Sequence, residues 1–417
     1  MSTNVYYKNQ RMLQRLHEGP LGTHIDLFAK RLLKEGHCTQ SAWCNLRIVS
    51  DFSHWLAQKG FGLHELNEQT VERYLEFHLR NRYPYLSTRP AMKRLLSVLR
   101  EVNAISPNPS KMLSPLEQIE EDFRRFLIHQ RGLALTSVGR YMPFVRLFLQ
   151  EECSRGHQAF SRLEPRKIMK FVERHVHDNG PRSAQVMCCA IRSFTRYLQQ
   201  QGYLLVDLSN SVPTVRRWAA ASLPSPLSPK QIEKVLDSCD RRSPLGMRNY
   251  AILLLLARLG LRAIEIVRLS LDDLDWREGQ FTVRGKGGKC NLLPLPSDVG
   301  AAIAKYLRCG RFQSDSRRVF LQNPAPHAGF TSSVIISNIA TAAFNRAGID
   351  VRRKSGAHLF RHSLATAMLQ GGATLTQIGQ ILRHESMDST RIYAKVDIAA
   401  LRALAPSWPE EVCHEHA

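Results

Sequence analysis

The sequence predicts a mainly α-helical protein with one small antiparallel β-sheet, and three observations carry that expectation. Apolar residues recur at intervals of three and four through most of the chain. One stretch alone, "GQFTVRGKGGKCNLLPLP" (Gly279–Pro296), alternates on either side of a glycine-rich turn, the pattern of a hairpin. Two Pro/Ser-rich stretches, "AISPNPSKMLSP" at Ala104–Pro115 and "SNSVPTVRRWAAASLPSPLSP" at Ser209–Pro229, interrupt the helical rhythm as linkers do. They divide the 417 residues into expected domains at 1–110, 111–222 and 223–417, in keeping with the two or three that this length suggests.

In the first segment, "SAWCNLRIVSDF" (Ser41–Phe52), "LNEQTVERYLEFH" (Leu66–His78) and "MKRLLSVLREV" (Met92–Val102) read as amphipathic helices with Arg and Lys on the wet face. The second segment repeats the rhythm in "SVGRYMPFVRLF" (Ser137–Phe148), "LEPRKIMKFVERH" (Leu163–His175) and "QVMCCAIRSFTRYL" (Gln185–Leu198), with Ser41/Ser137, Val49/Val145 and Phe52/Phe148 coinciding. Two helical bundles are expected, related by duplication; the alternative is two unrelated bundles that share a rhythm.

The third segment opens with "LSPKQIEKVL", where Ser228 caps a helix, Pro229 takes its first position and Gln231 completes a capping box. A second helix over Pro244–Leu259 stops at Gly260, and a short one follows through "AIEIVRL". After the hairpin the chain is helical again. Gly371 and Gly372 end one helix, and Thr374 with Gln377 offers a capping box to the next.

Charge is the unusual total. Lys and Arg number 58 against 36 Asp and Glu, a formal net charge of +22. It is spread as about +6, +7 and +9 over the three segments, so a polyanion would be gripped by the whole molecule. A membrane partner is not expected. The longest apolar run, Ala251–Ala257, is far shorter than the roughly 20 residues of a spanning helix, and the start of the sequence carries no apolar signal-peptide core. Nine cysteines without a C-x-x-C pair suggest neither a disulfide framework nor a zinc site, and a cytoplasmic location is expected.

The residues that suggest chemistry are dispersed. His358 and Arg361 in "HLFRH" stand three apart on one helix face. His358 and His362 stand four apart, but Leu359 lies where H-E-x-x-H would place a glutamate, and no metal site is expected. Arg262 begins a helix in "GLRAIE", where backbone N–H groups favour an anion, and Lys286 sits on the hairpin turn in "RGKGGK". Taken singly, Arg361 reads as a salt-bridge partner and Tyr393 as a core aromatic with its hydroxyl satisfied.

As a set, these residues resemble the tyrosine recombinases, the phage-integrase and Xer-like enzymes that cut and rejoin DNA. "GLRAIE" matches the family's arginine context with Arg262 and Glu265, and Lys286 follows 24 residues on in a β-turn. His358 and Arg361 match H-x-x-R, His384 lies 23 residues further, and Tyr393 nine beyond that. The resemblance covers about residues 115–405. It implies a catalytic domain over 223–417 with a C-terminal tail, preceded by a helical, SAM-like core-binding domain. In one place the chain departs from the pattern: "LRH" stands where the family commonly reads "LGH", so Arg383 replaces a glycine. Residues 1–110 exceed the usual two-domain plan, and the sequence does not assign them a role.

The resemblance implies a site-specific recombinase acting in DNA integration, excision or transposition through a 3′-phosphotyrosyl intermediate. Tyr393 would be the nucleophile and store the energy of the broken phosphodiester as an ester. Arg262 and Arg361 would clamp the non-bridging oxygens with planar paired donors, and Lys286 would protonate the leaving hydroxyl. His358 and His384 would support proton transfer or bind the phosphate, the arginines would favour the phenolate of Tyr393, and Glu265 would orient Arg262 or form a plain helix salt bridge. Arg140, Arg216 and Arg217 are expected DNA contacts. No cofactor or metal is expected. The expected partner is double-stranded DNA, held by a homo- or hetero-tetramer that includes sister recombinases, in a nucleoid-associated setting. Alternatives are an inactive DNA-binding accessory protein and a type IB-like topoisomerase.

Overall fold

The computed structural model describes residues 2–7, 9–81, 88–106, 113–152, 160, 163–215, 226–285, 289–350, 356–384, 390 and 393. These are mostly helical, with one three-stranded antiparallel sheet. By internal contacts the chain divides into two units, one made of Met1–Asn108 with Leu223–Ala417 and the other of Pro109–Ser222.

Within the first unit, the N-terminal part contains α1 (Gln10–Leu16), α2 (Ile25–Lys34), α3 (Thr39–Lys59), α4 (Glu68–Asn81) and α5 (Thr88–Glu101). Their apolar faces meet in a core of its own around Phe28, Leu46, Phe52, Leu56, Leu95 and Leu99. α3 ends because Gly60 takes a left-handed conformation at φ 71°, which a side chain disfavours. Glu35, at the end of α2, ties the bundle together by pairing with Arg31 and with Arg94 of α5.

The second unit contains α6 (Pro115–Arg125), α7 (Leu135–Glu152), α8 (Pro165–Val176) and α9 (Pro181–Gln200). Ser114 caps α6 and exchanges hydrogen bonds with Glu117, with Pro115 in the first helical position. Edge-to-face phenylalanines fill the centre, Phe148 with Phe171 at 5.0 Å and Phe123 with Phe194 at 5.0 Å. The two sets of stretches aligned in the sequence fall on α3, α4 and α5 and on α7, α8 and α9.

The remainder of the first unit contains α10 (Pro229–Asp237), α11 (Pro244–Leu259), α12 (Ala263–Arg268), strands β1 (Leu274–Asp275), β2 (Gln280–Arg284) and β3 (Cys290–Pro294), and then α13 (Ser297–Cys309), α14 (Ser333–Arg346), α15 (Ala357–Gln370) and α16 (Leu375–Ile381). Ser228 and Gln231 form the capping box at α10, and Thr374 and Gln377 form the one at α16. The middle of α11, Ala251–Ala257, is apolar around its whole circumference and buried on every side, and the helix packs against α13, α14 and α15. In the sheet, Phe281 faces Leu293 and Val283 faces Asn291 across β2 and β3, so the buried side of β2 lies on the core. Among the described residues no helix is long and apolar enough to cross a membrane.

Candidate active site

Two helix ends and one helix interior bring the arginines together. α11 stops at Gly260, which is left-handed at φ 55° and leaves its carbonyl unused by the helix. That carbonyl accepts a hydrogen bond from Nη1 of Arg361, which projects from α15, at 2.6 Å. Nη2 of Arg361 donates to the carbonyl of Leu382, just past the end of α16. Gly260 is required here for a second reason: a Cβ would lie 2.9 Å from Leu382 and 3.0 Å from Leu364.

Arg262 caps α12. Its backbone N–H donates to Oε2 of Glu265 at 2.8 Å, its Nη1 donates to Oε1 of the same carboxylate at 2.9 Å, and its Nη2 donates to the carbonyl of Arg383 at 2.8 Å. Glu265 therefore holds both ends of Arg262, while 31% of the Arg262 side chain stays open to solvent. Arg383 adds a third guanidinium, donating to Glu265 Oε2 at 3.1 Å. Arg361 is the most confined of the three. Burial first, then the neighbouring Arg262 and Arg383, push its pKa down to about 10, which still leaves it charged at neutral pH.

Tyr393 closes the cluster. It is 1% exposed and packs with Ala365, Ile378 and Leu382. Its hydroxyl lies 2.9 Å from Nδ1 of His362, and donates to it when that nitrogen is unprotonated. The imidazole of His384 lies parallel to the Tyr393 ring with centroids 6.3 Å apart, and its Nδ1 is 2.7 Å from the hydroxyl of the buried Thr390. Burial followed by Arg361, Arg262, His362 and Arg383 pushes the pKa of His384 down to about 4, so this imidazole is neutral at physiological pH. Arg361 pulls the phenol toward the phenolate, the expected direction, but burial opposes it. Desolvation raises the Tyr393 pKa and outweighs the opposing pull of Arg361, so the arginines do not make it a phenolate in this conformation.

Of the residues singled out in the sequence, Arg262, Glu265, Arg361, His384 and Tyr393 thus meet in one cluster. His358 is exposed on the first turn of α15, one turn before His362. Arg140 is exposed on α7, in the other unit. Lys286, Arg216 and Arg217 lie outside the described residues, as does the tail carrying Leu401, Leu404 and Trp408. Among the described residues no group of three or more His, Cys, Asp or Glu side chains is placed to hold a metal ion. Sequence reasoning missed His362 as the partner of the phenol, Thr390 as the partner of His384, and Arg383 as a partner of Glu265. A signal existed for two of them: His362 follows Arg361 directly, and Arg383 marks the departure from "LGH".

The cluster's setting matches known proteins. Residues 226–399 match the model of the phage integrase family. The Sinorhizobium fredii protein y4rA, described by name as an integrase/recombinase, is 40% identical over 405 residues, which span 96% of this chain and 97% of that one. The tyrosine recombinase XerD of Listeria innocua is 29% identical over 67% of this chain and 95% of its own. Among solved structures, the site-specific recombinase XerH in a post-cleavage complex with its palindromic difH substrate superposes with a TM-score of 0.57 at 19% identity, covering 84% of this chain and 99% of that one, a likeness of fold.

Proposed function

The chain belongs to the phage integrase family, the tyrosine recombinases, and from that membership we propose that it is a site-specific recombinase using Tyr393 as its nucleophile. The observation that carries this reading is the meeting of one phenol, two imidazoles and three guanidinium groups around the ends of α11 and α16. A phosphodiester is the substrate that needs such a set. Attack by the Tyr393 oxygen on phosphorus breaks the bond to O5′, leaves the 3′ phosphate esterified to the phenol, and builds charge on the non-bridging oxygens. Arg262 and Arg361 meet that charge with planar paired donors, Arg262 turning to the phosphate from the protein acceptors it holds here.

His362 Nδ1 takes the phenolic proton, which the raised pKa of Tyr393 makes necessary. Lys286 remains the proposed donor to the departing 5′ hydroxyl, on the strength of the family pattern. A 5′ hydroxyl from another strand then reverses the step, so strands are exchanged without net hydrolysis. Double-stranded DNA is the proposed partner, supported by the family membership and the net charge of +22, with four protomers acting together, alone or beside sister recombinases. The integrase/recombinase name of y4rA supports a role in integration, excision or transposition.

Incubation with a nicked duplex bearing its recombination site, followed by denaturing electrophoresis, tests the reading. A protein–DNA adduct is expected in wild type, in EDTA as well as in Mg²⁺, and none in Tyr393→Phe. An adduct that persists in Tyr393→Phe rules out the nucleophile. Relaxation of plasmid without any specific site and without strand exchange would replace the recombinase with a topoisomerase.

A further inference from the structure

Arg383 stands in an unfavourable backbone conformation, left-handed at φ 56°, where glycine rests without strain. That turn aims its carbonyl at Nη2 of Arg262 and folds its side chain back onto Glu265. The guanidinium is nearly buried and donates to Glu265 and to the carbonyl of Ile381, while its Nε has no acceptor among the described residues.

The burial of Glu265 gives this arrangement a consequence. Its carboxylate is 1% exposed, and a carboxylate at that depth requires a cation. With Arg262 as sole counter-ion, any phosphate drawing Arg262 toward itself would strand a buried negative charge. Arg262 would then be held as a structural ion and the clamp weakened. A second guanidinium on Glu265 removes that conflict, because the carboxylate keeps a partner when Arg262 turns to the phosphate. The local charge also changes: Arg262, Arg361 and Arg383 against Glu265 leave a net excess of two positive charges, and without Arg383 only one remains.

We propose that Arg383 is a positioning residue for the phosphate clamp, holding Glu265 so that the charge of Arg262 is available to the scissile phosphate. The proposal rests on the recombinase reading above and deepens it. Arg383 does not touch the DNA; it acts through Glu265 and Arg262.

Single-turnover cleavage by full-length wild type, Arg383→Gly and Arg383→Lys tests it, on a nicked substrate with an ordinary scissile phosphate and on one with a methylphosphonate there. The methyl group removes the charge that the clamp must meet. Arg383→Gly, which also relieves the backbone, is expected to cleave the ordinary phosphate about tenfold more slowly with DNA affinity unchanged. Arg383→Lys should recover part of that loss, and the deficit of Arg383→Gly should shrink on the methylphosphonate. Wild-type cleavage by Arg383→Gly, or an equal deficit on both substrates, overturns the proposal.

An NMR titration of the His384 imidazole in the full-length protein needs no activity. Arg383→Gly should move it to higher pKa, and an unmoved titration also counts against the proposal. If wild type forms no adduct, the recombinase reading fails whatever stands at position 383, and the titration still decides whether Arg383 governs the cluster's field.

Discussion

Arg361 sits at 5% exposure with a carbonyl on either side, Gly260 and Leu382, and only a planar group with separated donors serves both. A lysine in its place has one ammonium to offer. Arg361→Lys should leave one buried carbonyl unpaired, at a cost of about 1–3 kcal/mol in chemical denaturation, and reduce cleavage well beyond what that destabilisation explains. His362 is the corresponding test for the phenol. Because burial holds Tyr393 above its ordinary pKa, His362→Gln should slow cleavage by about 10²–10⁴-fold, the usual contribution of a positioned base, and the remaining rate should climb as pH rises toward the phenol's own ionisation. His384 shows its neutrality in stability. Its native pKa is about 4 and the unfolded imidazole titrates near 6.5, so the unfolded chain binds the extra proton between those values. The stabilisation is therefore complete above about pH 6.5 and is lost as pH falls through the native value of about 4; the difference in melting temperature between wild type and His384→Asn should narrow over that window.

At the scale of elements, the site depends on how α11 ends. Gly260 supplies the turn, the carbonyl for Arg361 and the room for Leu364 and Leu382. Gly260→Ala should cost about 1–2 kcal/mol for the left-handed backbone and about 1–3 kcal/mol for the crowding, and cleavage should fall with it; urea unfolding and the adduct assay read both. This helix end was legible in the sequence. So were the boxes at Ser228 and Thr374 and the hairpin of β2 and β3, because caps and turns are dictated by residues within four positions of each other. The partners of Tyr393 were not. Its contact with His362 spans 31 residues, a separation over which no local pattern encodes a partner. Arg383 was visible as a departure, but its direction is set by a positive φ that arginine seldom adopts and that no helix periodicity predicts.

For the whole molecule, a net charge of +22 spread over every segment makes DNA affinity a matter of many phosphate contacts. Log affinity should fall steeply and linearly with log salt. If Arg140, exposed on α7, touches one phosphate, Arg140→Ala should flatten the slope by about 0.9 and weaken specific and nonspecific sites alike. The N-terminal helices, α1 to α5, share an apolar cluster of their own, and the basic excess of about +6 over residues 1–110 suits them to add phosphate contacts. The proposed function turns on one covalent event. Mass spectrometry of the trapped protein–DNA adduct, after nuclease and trypsin, measures it most directly: the nucleotide should remain on the peptide Ile392–Lys395, attached to Tyr393. A nucleotide on any other residue, or an unmodified Ile392–Lys395 peptide from a verified adduct, would contradict the account.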